Sequence, residues 1–110
     1  MKIEHKEGFI LISSESNSFS EFYNFFSDKH KEFAKNNVII NISSNLVANE
    51  QEISLFLECA DIHQENGTTF VVVYQNVDVD NFPENFNIVP TLQEAEDVLE
   101  MENIQRDLGF

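Results

Sequence analysis

Cysteine is nearly absent from this chain of 110 residues: Cys59 stands alone, so no internal disulfide can form. The only glycines are Gly8, Gly67 and Gly109, too scattered for a glycine-rich loop that cradles phosphate. No Gly-x-Ser-x-Gly nucleophile elbow occurs. Positive charge is scarce, with 6 Lys and Arg against 20 Asp and Glu and a formal net charge of −14. A surface of that sign repels phosphate backbones and anionic membranes, so neither nucleic acid nor a membrane is an expected partner. No run approaches the roughly 18 apolar residues of a membrane span. The opening Met-Lys-Ile-Glu-His-Lys-Glu has no apolar signal core, and the expected location is the cytoplasm.

The charge is unevenly spread. Residues 1–49 hold six acids and five lysines, whereas residues 50–110 hold fourteen acids and only Arg106. Solubility alone is the plainer account of this acidity. The functional account is a protein partner with a basic surface.

What the chain has in quantity is apolar side chains. They make up 42% of residues and include eleven Phe, most of them in patterned segments. That composition implies a packed core rather than an acidic disordered chain. The length suits a single domain spanning 1–110.

Lys2–Lys6 reads as a weak strand and Phe9–Ile12 as an apolar one, with Glu7-Gly8 as a hairpin turn between them. Ser18 followed by Glu21 is a capping pattern, and Phe19, Phe22, Tyr23, Phe26 and Phe33 continue at helical spacing toward Lys35. Val38–Ile42 is short, β-branched and apolar, as a buried strand is. A polar loop from Ser43 leads to Asn49 and Glu52, a second capping pattern, and a helix over Asn49–Asn66 that stops at Asn66-Gly67. Thr68–Tyr74 is the strongest strand signal. Asn76–Asn87 reads as an acidic loop with one short helical turn, and Ile88-Val89 as a strand stub. Thr91 and Glu94 open a third helix that runs to about Leu108. Met101 and Ile104 widen the apolar face of that helix beyond what one core contact requires.

Strands alternating with helices imply crossover connections and a mainly parallel sheet; the opening hairpin makes it mixed. The expected fold class is α/β, with four or five strands and about three main helices packed largely on one sheet face.

Val38-Ile39-Ile40-Asn41-Ile42 with its polar loop, Gly67-Thr68-Thr69-Phe70-Val71-Val72-Val73, and Ile88-Val89-Pro90-Thr91-Leu92-Gln93-Glu94-Ala95 together resemble the STAS family. These are the anti-sigma-factor antagonists and sulfate-transporter tails. The resemblance covers nearly the whole chain, and its motifs also read plainly as strand ends and helix caps. It implies a STAS-like fold and a regulatory, protein-binding role. In phosphorylated members a serine stands where the second helix begins. The matching stretch here, Asn49-Glu50-Gln51-Glu52, has no Ser or Thr, so phosphorylation at that position is not expected. Glu50 can imitate the phosphorylated state with a permanent charge at the helix start. The plainer account is that acids are common in first turns. Ser43 and Ser44 stay open as phosphosites without support.

Catalytic and metal chemistry has little to stand on. His5, His30 and His63 show no helical ligand spacing, and each is expected at the surface or its boundary. Nothing matches the His-x-His-x-Asp-His cluster of the metallo-β-lactamase nucleases. Glu58 and Asp61 near Cys59 raise its thiol pKa, which suits a core cysteine better than a nucleophile. Pairs such as Asp78/Asp80 and Glu94/Asp97 are expected by chance among twenty acids. No cofactor is expected.

Along the middle helix, Ile53, Phe56, Leu57 and Ala60 form one apolar stripe; Leu55, Cys59 and Ile62 form a second. The second either lies beneath the C-terminal helix, the favoured alternative, or is offered to a partner. The terminal Leu108-Gly109-Phe110 can tuck in, fray or anchor a contact.

The leading expectation is a non-enzymatic interaction module. Its expected partner-binding residues are Ser44, Asn45, Asn49, Glu50, Gln51, Leu55, Glu58, Cys59 and Ile62, with the acidic helix Thr91–Leu108 as a further surface. A homodimer stays open. A small-ligand or nucleotide sensor comes second and an enzyme third.

Overall fold

A computed structural model describes residues 1–76 and 78–109; the expectation for Phe110 lies outside the described residues. Strands β1 (Lys2–Lys6), β2 (Phe9–Ser13), β3 (Val38–Ile42), β4 (Phe70–Tyr74) and β5 (Ile88–Val89) form one sheet in chain order. β1 and β2 pair antiparallel, with Lys6 opposite Phe9; the remaining pairs are parallel. The hairpin turn needs Gly8, whose φ is +90°. β5 is short because Pro90 follows and has no N–H to continue the ladder.

The helices are α1 (Phe19–Phe33), α2 (Glu50–Ile53), α3 (Leu57–Glu65) and α4 (Leu92–Asp107). All three expected caps form: the side chains of Ser18, Asn49 and Thr91 accept from the backbone N–H of Glu21, Glu52 and Glu94. The expected helix over Asn49–Asn66 is interrupted, since a 3-10 turn over Ser54–Phe56 separates α2 from α3. Gly67, at φ +72°, ends α3 as the Asn66-Gly67 pair implies.

The strands' two-residue period divides the core between the sheet faces. Ile10, Ile12, Val38, Ile40, Ile42, Phe70 and Val72 face α1, α2 and α3, where Phe22, Phe26 and Phe56 are fully buried. Each such Phe contributes about 1.5–3 kcal/mol by leaving water. Leu11, Ile39, Val71 and Val73 face the other way, against Leu92, Ala95 and Val98 of α4.

Handedness explains this division. The crossovers from β2 to β3 and from β3 to β4 run in the same direction, and right-handed crossovers then place α1 and α2–α3 on one face. The β4–β5 connection, with Phe82 and Phe86, packs on that face too. α4 follows the last strand, turns back and covers the opposite face. It therefore cannot lie over the stripe of Leu55, Cys59 and Ile62. The favoured account of that stripe is corrected: Cys59 is buried in the core, while Leu55 and Ile62 are exposed.

Candidate functional site

The loops that leave the carboxyl ends of the parallel strands gather at one end of the sheet. The loop after β3 is held at several points. Ser43 N–H donates to Ser14 Oγ at 2.9 Å, which ties it to the loop after β2. Leu46 N–H donates to the Ser43 carbonyl at 3.0 Å and closes a turn, and the Leu46 side chain is buried beneath it. The Tyr74 hydroxyl, at the end of β4, donates to the Leu46 carbonyl at 2.7 Å and accepts from Ala48 N–H at 3.2 Å. The Asn76 side-chain amide donates to the Ser44 carbonyl at 3.1 Å.

The consequence is a fastened loop with an apolar tip. Val47, between the two residues that Tyr74 holds, is 88% exposed. Neither residue was prominent in the sequence. Tyr74 read only as the end of a strand, and Val47 falls in the stretch between Ser43 and Asn49 that read as a polar loop. Three consecutive apolar residues, Leu46-Val47-Ala48, carry no periodic signal that says which is buried and which exposed.

Beyond the tip, Asn49 and Glu52 form a reciprocal capping box: Glu52 N–H donates to Asn49 Oδ1 at 2.8 Å, and Asn49 N–H to Glu52 Oε1 at 3.1 Å. The Asn81 side-chain amide donates to the Glu50 carboxylate, joining α2 to the β4–β5 connection. A depression of about 320 Å³ lies here, lined by Ala48, Asn49, Glu50, Ile53, Tyr74, Asn76 and Asp78.

The expected partner-binding residues divide as follows. Ser44, Asn45, Asn49, Glu50 and Gln51 sit together, exposed, at this end of the sheet. Leu55, Glu58 and Ile62 are exposed on the segment that follows, with Leu55 near α1 through the Tyr23 hydroxyl, which donates to its carbonyl at 3.3 Å. Cys59 turns inward; burial first, and then the nearby Glu58 carboxylate, push its thiol up to about 11.

The histidines require a correction. His5 is exposed, but His30 and His63 are buried, and their Nε2 atoms meet at 3.0 Å. One Nε2–H must donate and the other Nε2 accept, so the accepting ring is neutral. His63 Nδ1 lies 2.8 Å from Thr68 Oγ1, and its ring stacks on Phe70. Burial, reinforced by His30, lowers the His63 pKa to about 4; burial also lowers that of His30. The signal was present for His30, which continues the Phe22–Phe26 row at a spacing of four. For His63, four residues after Cys59, the same reading applies.

Among the described residues, no group of three or more His, Cys, Asp or Glu comes together to hold a metal ion, and no helix is long and apolar enough to cross a membrane. No protein-family model and no curated protein matches this chain.

Proposed function

We propose that this chain is a non-enzymatic interaction module on a STAS-like domain, and that it engages a protein partner through the loop Ser43–Gln51 and the exposed side of α3. The observation that carries this reading is the fastened apolar tip. Val47 projects 88% exposed from a loop held on both sides of it by one tyrosine hydroxyl. A contact residue on a pre-ordered loop loses little conformational freedom when it docks, so more of its burial appears as affinity. The mixed sheet, with its hairpin at one edge and its capped second helix after β3, agrees with the resemblance in the sequence. At the start of α2 this chain has Glu50 in place of a phosphorylatable serine. Asn81 holds its carboxylate, and the module is constitutive rather than switched there.

The test compares wild type, Val47→Asp and Leu55→Ser as baits in the source lysate. Both side chains are exposed, so melting curves and circular dichroism should be unchanged. The expected result is a specific protein retained by wild type and lost with Val47→Asp. Identical recovery by all three baits defeats the reading.

A further inference from the structure

The outer side of α4 carries a second apolar surface, on the opposite face of the sheet from α1 and α3. Met101 is 52% exposed, Ile104 52% and Leu108 67%. Spaced three and four residues apart, they form one row along the last two turns of the helix.

The rotation of α4 that presents this row is set from the inside. Leu92, Ala95 and Val98 pack on the sheet. Further along, Glu102 Oε1 accepts from Thr69 Oγ1 at 2.8 Å, and Oε2 from Asn87 Nδ2 at 2.7 Å. At 100° per residue, Ile104 sits about 200° around the helix from Glu102. With Glu102 fastened to the sheet, Ile104 must point to solvent. α4 is the only helix on this face among the described residues, so no neighbour covers the row.

The surroundings of the row select its occupant. Asp97, Glu100 and Asp107 are exposed on the same side of α4. The one cation of α4, Arg106, is half-buried on the inner side, 3.9 Å from Glu102. A second copy of this chain would set acids against acids across the contact, in molecules of net charge −14. A positively charged segment meets the opposite condition.

We infer that the outer face of α4, built on Met101, Ile104 and Leu108 within a rim of Asp97, Glu100 and Asp107, docks a basic amphipathic helix of a partner protein. Apolar residues of the partner helix, three and four apart, cover the row, and lysines or arginines beside them meet the acidic rim. This surface is separate from the Ser43–Gln51 loop, and the inference does not depend on that loop binding anything.

The probe is a synthetic helical peptide with a leucine row at three- and four-residue spacing flanked by lysine and arginine. A scrambled peptide of identical composition controls for charge alone. Both are titrated into isotope-labelled protein and followed by amide chemical shifts. The expected result is a set of shifts concentrated in Asp97–Leu108, with Ile104→Ser and the scrambled peptide each weakening binding about tenfold or more. Val47→Asp on the loop should leave the affinity unchanged. Shifts elsewhere, equal binding of the scrambled peptide, or no effect of Ile104→Ser would overturn the inference. Sedimentation supplies a further check: a dimer of the wild type that Ile104→Ser dissolves would make a second copy the occupant and overturn it too.

Discussion

His30 and His63 are two imidazoles inside a hydrophobic core, in contact with each other and with Phe70. Their burial makes the folded state sensitive to acid. In the unfolded chain each takes up a proton near 6.5, whereas folded His63 resists protonation until about 4. Below about 6.5 the unfolded state therefore binds more protons, and stability falls with pH until about 4. The contribution of His63 is fully present above the upper value and is lost progressively as the pH falls through the window. The fourteen-acid excess works in the other direction, because protonating carboxylates relieves repulsion. Urea denaturation across this range, on wild type and His63→Gln, separates the two effects. The variant should lose most of the histidine slope; parallel curves would show that the pair does not govern it.

At the scale of elements, the loop between β3 and α2 depends on two small polar devices, the Asn49–Glu52 capping box and the Tyr74 hydroxyl. Asn49→Ala removes the cap and should cost about 1 kcal/mol. Tyr74→Phe keeps the ring but leaves the Leu46 carbonyl and Ala48 N–H without their partner, at about 1–3 kcal/mol. Chemical denaturation measures both losses. Hydrogen exchange gives the local reading: the Ala48 amide should exchange faster in Tyr74→Phe while the amides of β3 stay protected. Uniform loss of protection would mean that the hydroxyl supports the whole fold rather than the loop. The break between α2 and α3 has a different character. A 3-10 turn over Ser54–Phe56 tightens the helix just where Phe56 enters the core.

For the whole molecule, charge is the dominant surface property. A net −14 on 110 residues repels itself, most strongly in the folded state, where the acids of residues 50–110 are held close together. Salt shortens the reach of that repulsion to about 8 Å at physiological ionic strength. Thermal melts should therefore shift upward by a few degrees as sodium chloride is raised toward that level. A melting temperature that falls with added salt would show that the weak surface ion pairs, such as Lys2–Glu4 and Lys6–Glu4, outweigh the repulsion.

Local rules were enough for most of the architecture. Caps at Ser18, Asn49 and Thr91, the positive-φ positions at Gly8 and Gly67, and the β-branched runs at Val38–Ile42 and Phe70–Tyr74 are written in neighbouring residues, because capping, turn conformation and strand pairing act over a few positions. The alternation of strands and helices after the opening hairpin adds the mixed, mainly parallel sheet. What neighbouring residues do not encode is which segments meet. The contact of His30 with His63 spans 33 positions and that of Tyr74 with Leu46 spans 28, so neither leaves a mark in either local sequence. Packing alone turned Cys59 inward and left Leu55 and Ile62 outside. It also sent α4 to the far face of the sheet, where the surplus apolar residues Met101 and Ile104, legible in the sequence only as excess, became an exposed row. The scarcity of disulfides, glycine loops and positive charge bounded the chemistry from the start, since composition survives any folding. The surfaces available to a partner depended on tertiary structure, because exposure belongs to a residue's neighbours in space.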